Sequence, residues 1–240
     1  SEATGLDISL GRFMLKFPLR VAVDDFLVLD EHADTMVAGK ALELNVKILP
    51  VFRGRVVVGN LSLDNATYRM VSSDSSMVLS ARLRRFELGR SSVVLLASQI
   101  DLSEAELDGA DVTIAMDVRK SKPAPPDTSA ASPWLINLKQ LKLNDIRYRM
   151  AMMPTIDSLD AHIPQAELRD LALNMSTSMV KVGGLTVDKL AAAYILPTAK
   201  AVEAFGYVPT DTVAVDSVAP AAPWAILADS LRISNSSALY

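Results

Sequence analysis

No cysteine occurs among the 240 residues, which removes disulfides, thiolate nucleophiles and Cys-based metal sites and leaves the redox compartment open. Histidine is scarce: His32 and His162 are the only two, and no third residue is spaced to complete a metal or catalytic site with either. A strong charge of either sign is also lacking. With 24 Lys and Arg against 28 Asp and Glu, the net charge of −4 leaves no basic footprint, and the densest cationic group is Arg82, Arg84 and Arg85, so nucleic acid is not an expected partner. No apolar run approaches the roughly 18 consecutive residues of a membrane-spanning helix, and the opening SEATGLDIS does not read as a signal peptide. Helical periodicity is nearly absent, with short turns near 49–53 and 198–205 as the exceptions.

Recognised chemical motifs are missing too. The acidic turn at 30–34 (DEHAD) lacks the glycine and the spaced acceptors of a calcium loop. The serine run at 72–76 has no histidine placed by a motif, and no G-x-S-x-G elbow occurs. Gly183 and Gly184 precede no helix, so they form no phosphate loop. No catalytic residue, metal ligand or cofactor is expected.

What is present is apolar material in a period of two. Half the residues are apolar, enough for a sizeable core, which excludes disorder for the chain as a whole. Leu42, Leu44, Val46 and Ile48 alternate with Glu43, Asn45 and Lys47, and Val112, Ile114, Met116 and Val118 alternate with polar or small residues. Such alternation puts one side-chain row on an apolar face and the other in water, as in an antiparallel sheet covered on one side. Further strands are expected at 20–30, 54–70, 76–88, 92–103, 135–150, 156–163, 166–176, 179–195 and 224–234.

A ten-residue line recurs at 61–70 (LSLDNATYRM), 141–150 (LKLNDIRYRM) and, degraded, 231–240 (LRISNSSALY). Offset by 80 positions, Ala81, Leu83, Glu87 and Leu88 fall on Ala161, Ile163, Glu167 and Leu168, and Pro133-Trp134 and Pro223-Trp224 stand equally far before the second and third copies. A period this long holds several strands, so the chain reads as one continuous β-repeat array. Its expected units are about 1–60, 61–140, 141–230 and the start of another at 231–240, with the array continuing in a longer polypeptide. Two stretches rich in Pro, Ala, Ser and Thr, 121–133 and 197–223, are expected as long loops leaving the rim of a sheet, or else as domain linkers.

The N-terminal third resembles a known family. GLDISLGRF at 5–13, FPL at 17–19, VLD at 28–30, DTMVA at 34–38, LELNVKILP at 42–50 and GNLSLD at 59–64 look like the segment after the membrane anchor in AsmA/TamB-like proteins of Gram-negative bacteria, notably the large Bacteroidetes versions. The match covers about the first 70 residues, through loose alternations with a few fixed positions, and departs where Thr35-Met36-Val37-Ala38 stands for Thr-Leu-Leu-x-Ala. The resemblance implies an inner-membrane anchor outside this sequence, a periplasmic body made of a long curled antiparallel sheet with an apolar inner groove, and a role in outer-membrane biogenesis. Chorein-type lipid bridges are similar in architecture.

The expected fold is therefore all-β: an elongated, curled antiparallel half-pipe with an apolar inner face. A 16-carbon chain laid in such a trough gains on the order of 10 kcal/mol, at roughly 0.8 kcal/mol per methylene. Candidate groove rows are Leu42, Leu44, Val46 and Ile48; Val56 and Val58; Leu61 and Leu63; Leu141 and Leu143. Tyr148, Met150 and Met152 form another, and methionine suits a surface that fits varied chains. The expected partner is a phospholipid or other acyl-chain lipid, with an outer-membrane barrel protein as a second. Two alternatives stand beside this reading: the same rows pack as an ordinary sandwich or barrel core, or the array binds a protein through a sheet edge.

Overall fold

The computed structural model describes residues 7–17, 19–30, 34–47, 54–72, 74–117, 119, 133–153, 157–196 and 224–239. Fourteen strands lie there: β1 Asp7–Lys16, β2 Arg20–Leu29, β3 Thr35–Lys47, β4 Arg55–Val71, β5 Met77–Leu88, β6 Ser91–Val94, β7 Gln99–Asp117, β8 Leu135–Met153, β9 Ser158–Asn174, β10 Met179–Asp188, β11 Ala191–Ile195, β12 Ala225–Ala228, β13 Leu231–Ser234 and β14 Ser237–Leu239. All fourteen join one sheet. The chain is all-β, as its alternation predicts. Among the described residues the single helical element is a 3-10 turn, Leu95–Ala97, and no helix is long and apolar enough to cross a membrane.

The sheet is mixed rather than purely antiparallel. From β1 to β7, and again from β8 to β11, paired strands run antiparallel, but β8 lies parallel to β7, β12 and β13 lie parallel to β10, and β14 lies parallel to β11. Those parallel junctions are where the second and third copies of the ten-residue line enter. Other boundaries differ from expectation for local reasons. The stretch 92–103 divides into β6 and β7 around the 3-10 turn. Residues 156–163 and 166–176 are largely one strand, β9, which runs through Pro164. The stretch 179–195 breaks at Lys189, whose φ is +58°, and 224–234 breaks between Ala228 and Leu231. The expected turns at 49–53 and 198–205, the loops 121–133 (Pro133 excepted) and 197–223, and both Ile48 and His32 fall outside the described residues.

Two lines of irregularity cross the sheet. Along β8 the ladder is continuous except at Lys139 and Asp145, and these face gaps at Ser103 and Gly109 on β7 and at Asp170 and Pro164 on β9. The two lines lie six positions apart on each of these strands. The line through Gly109, Asp145 and Pro164 continues through Arg84 on β5, Asn65 on β4 and Asp25 on β2, and on the other side reaches Lys189 and Asn235. Left-handed backbone marks it: φ is +51° at Asp25, +49° at Asn65, +64° at Gly109, +53° at Asp145 and +51° at Asn235. Asn65, Asp145 and Asn235 are the fifth residue of the three copies of the repeated line, and Asn and Asp tolerate this conformation better than most side chains. Pro164, which has no N–H to donate, sits where the ladder has no bond to lose.

Each line shifts the side-chain phase by one. On β8 the apolar residues step by two, then by three at each line: Ile136, Leu138, Leu141, Leu143, Ile146, Tyr148, Met150, Met152. On β7 the steps are the same, and Ile100, Leu102, Ala105, Leu107, Ala110, Val112, Ile114 and Met116 stand directly opposite them. Strict alternation would put Leu143 and Tyr148 on opposite faces; the extra residue at Asp145 returns both to one face.

Candidate functional site

The phase shifts gather the apolar rows into one surface. A single ladder of opposed side chains runs Phe13, Val23, Leu42, Leu63, Phe86, Leu107, Leu143, Ala166, Val187 and Ile233, across ten strands. A parallel ladder two residues away passes through Leu44, Leu61, Leu88, Ala105, Leu141, Leu168 and Leu185. Nearer one rim, Met70, Leu79, Ile114, Met150 and Leu159 are opposed in turn. Nearer the other, Val56, Val93, Ile100, Ile136, Leu173, Val180 and Ile226 are. Cross-strand apolar pairs of this kind each stabilise a sheet by a few tenths of a kcal/mol up to about 1 kcal/mol. Among the described strands this face carries no charged residue.

Of the residues singled out from the sequence, Leu42, Leu44 and Val46 lie on β3, Val56, Val58, Leu61 and Leu63 on β4, and Leu141, Leu143, Tyr148, Met150 and Met152 on β8, all on this face. Periodicity separated them into rows; the structure joins the rows. Phe86, Leu107, Ile114, Leu168 and Leu185 belong to the same surface and were not singled out, although a step of three in an alternating pattern, with Asn or Asp inside the step, signals the shift.

Burial on this face is uneven. Val23, Ala66, Ala105, Ala110, Leu138, Ile146, Ala166 and Val187 are buried, and each flanks one of the two lines. Most other residues of the face are half-buried. At both ends of the sheet the face is open: Ile8, Leu10, Phe13 and Leu15 on β1, and Ile226, Leu231 and Ile233 on β12 and β13, are exposed. No second sheet and no helix lies over it among the described residues.

The opposite face is polar and paired. Arg84 donates to Asp145 at 3.0 Å and to Asp108 at 3.3 Å, lying across Gly109, where any Cβ would collide with the guanidinium. His162 Nε2 is 3.0 Å from Asp145, and Arg149 donates to Asp111 at 2.8 Å. Asn137 donates to Asp101 at 2.9 Å, Asn144 to Glu106 at 2.9 Å and Gln140 to Glu167 at 2.6 Å. These bonds hold several carboxyls below their ordinary range: Asp101 through Asn137 and then Gln99, Asp145 through His162 and then Arg84, Glu167 through Arg169 and then Gln140. The shallow open grooves on this side follow the two lines; one is lined by Asn65, Thr67, Arg82, Arg84, Asp111 and Arg147. No group of three His, Cys, Asp or Glu among the described residues is placed to hold a metal ion.

No family model and no curated protein matches the chain. The geometry itself is the guide to what the chain does. Its largest organised feature is the uncharged face; the polar face presents dispersed ion pairs, each satisfied by a neighbour, rather than a converging set of groups aimed at a reacting atom.

Proposed function

We propose that this chain is a non-enzymatic β-groove segment that binds acyl chains, and that it serves phospholipid transport between the inner and outer membranes in the periplasm, in support of outer-membrane biogenesis. The observation that carries the reading is the charge-free apolar surface, continuous over ten strands and covered by no second layer among the described residues. A protein that needed only a core would close such a surface against another layer.

Curvature of the sheet around that face is part of the proposal, and two features support it. At each line two consecutive residues, such as Asn144 and Asp145, face the polar side while Leu143 and Ile146 on either side of them face the apolar one. The buried apolar residues, apart from Ala22 and Val57, are those that flank the lines, as expected where a fold brings its inner corners together. The second feature is chain length. Asp117 and Leu135 lie at opposite rims of neighbouring parallel strands, and residues 118–134 can reach on the order of 60 Å when fully stretched. That barely equals the length of a flat 19-residue strand, so a sheet folded along the two lines eases the connection.

The resemblance of the first 70 residues to AsmA/TamB-like proteins points the same way, and supplies the periplasmic setting, the inner-membrane attachment and the outer-membrane partner of the proposal. A second reading has one specific observation in its favour. Among the described residues strand β1 has an unpaired edge, and an assembly partner adding a strand there would cover Phe13 and Leu15, now 57% and 60% exposed.

Lipid extraction and native mass spectrometry of the purified chain test the main reading. Bound phospholipid is expected, displaced in saturable fashion by a fluorescent fatty acid and lost in Leu143→Asp, with retention of strand structure checked by circular dichroism. Recovery of no lipid together with no saturable fatty-acid binding contradicts it.

A further inference from the structure

The strands end on two rims of opposite chemistry. At the rim where β2, β4, β7 and β8 end, the residues at or just beyond the strand ends include Asp30, Asp34, Asp74, Asp117 and Asp157. The one cation described there, Arg119, is bound to Asp117 at 2.9 Å. At the other rim, from β4 to β12, the described residues beyond the strand ends are Gly54, 95–98, Pro133, Trp134, 175–178 and Trp224, and none is charged; the cations of this rim, Lys16, Arg20, Lys47 and Arg55, are terminal residues of β1 to β4 at its far side. Both tryptophans of the chain stand on this rim, each one residue before a strand that enters the sheet in parallel. Between them and Gly54 projects the 3-10 turn, where Leu95 is 55% and Leu96 is 92% exposed. Ladder bonds fix the order along the rim: Leu95 N–H donates to Gly54, Leu135 N–H to Ser98, Met175 N–H to Trp134 and Ala225 N–H to Ser178.

We propose that this stretch of rim, from Gly54 to Trp224, docks into the interfacial layer of a lipid bilayer, with the aspartate rim directed away from it. Tryptophan, with an apolar body and one N–H, favours the membrane–water boundary, and the exposed leucine pair supplies an apolar anchor of the kind that holds a monotopic surface. The dimensions disfavour a protein occupant. Seven strand positions at about 4.8 Å, one sheet of about 10 Å thick, present on the order of 300 Å², well short of the roughly 800 Å² per partner of a stable protein interface. The five aspartates give the molecule a polarity, since an anionic lipid surface repels that rim. The proposal builds on the acyl-binding reading, because a rim seated in a bilayer brings one end of the apolar face to the lipid, but its test reads a separate quantity.

The test mixes the whole chain with phosphatidylcholine vesicles and follows flotation, tryptophan emission and quenching by brominated phosphatidylcholine. Wild type is expected to float, with blue-shifted and quenched emission. Leu95→Asp/Leu96→Asp is expected to partition about tenfold more weakly or worse, given the apolar burial forgone, and Asp157→Asn on the opposite rim to behave as wild type. Because Leu95 and Leu96 are both exposed, and Leu96 almost wholly so, the double variant tests docking rather than folding. Binding of a fluorescent fatty acid below its micellar concentration is expected to survive the double variant; its absence with flotation intact would count against the acyl-binding reading alone. Docking is overturned if wild type neither floats nor shifts its emission, if the double variant floats equally well, or if the rim instead mediates a dimer in sedimentation that the double variant abolishes.

Discussion

The two faces of the sheet are built from the same strands and differ in what they can do. The polar face is rich in individual bonds, yet they lie near solvent: Arg84 and Asp145, for example, have side chains 56% and 46% accessible, and exposed pairs contribute about 0–1 kcal/mol. The apolar face has no directed bonds, yet its ladders run the width of the sheet and its buried residues mark the two lines where the strands change phase. A surface whose value lies in continuity rather than in any one residue suits a ligand recognised by its methylenes. The many satisfied pairs of the polar face keep that side of the sheet wet.

The largest expected difference between the faces comes from placing a charge on each. Ala110→Asp, at a buried position beside the line through Gly109 and Asp145, is expected to destabilise by about 3 kcal/mol or more, because an unpaired carboxylate cannot be solvated there. Its neighbour Asp111→Ala, which only loses the exposed pair with Arg149, is expected to cost under about 1 kcal/mol. Urea midpoints of the two variants measure this, and equal costs would break the distinction. Next in size is the backbone at the line: Asn65→Val is expected to cost about 1–2 kcal/mol, since a β-branched residue resists left-handed geometry, whereas Asn65→Gly should be nearly neutral. Arg84→Ala, which removes contacts to Asp108 and Asp145 together, is expected to lower the midpoint by no more than about 1 kcal/mol.

The smallest effect concerns pH. Asp101, Asp145 and Glu167 are held below their ordinary values, so the stability they add is fully present above the ordinary carboxylate range and is lost only as pH falls through the lowered values. Stability is expected to be flat from neutral into mild acid and to fall below that. Asn137→Leu removes the bond that contributes most to lowering Asp101, so NMR titration should show that carboxyl moving up; no movement would contradict the assignment.

Much of the fold was legible in the sequence because alternation is a direct consequence of the pleat. The strands at 20–30, 54–70, 76–88 and 135–150 coincide with β2, β4, β5 and β8 within a few residues. Strand direction was not legible. A row such as Leu141 and Leu143 reads the same whether its neighbour runs parallel or antiparallel, so the junction of β7 with β8 was missed. The face was legible in pieces, with Leu141 and Leu143 in one row and Tyr148, Met150 and Met152 in another. What joins them is the left-handed residue Asp145, whose meaning emerges only when Asn65 and Asn235 are seen to adopt the same φ at the same point of the repeated line. Ile48 lies outside the described residues, and its place on the face is not assigned.

The most direct test of the acyl-binding face compares two adjacent positions on β8. A photo-crosslinking amino acid is placed at Leu143, on the apolar ladder, or at Lys142, exposed on the polar face, and the adducts formed in cells are identified by mass spectrometry. The account predicts phospholipid adducts at Leu143 and none at Lys142; protein adducts alone, or lipid adducts in equal yield at both positions, would contradict it.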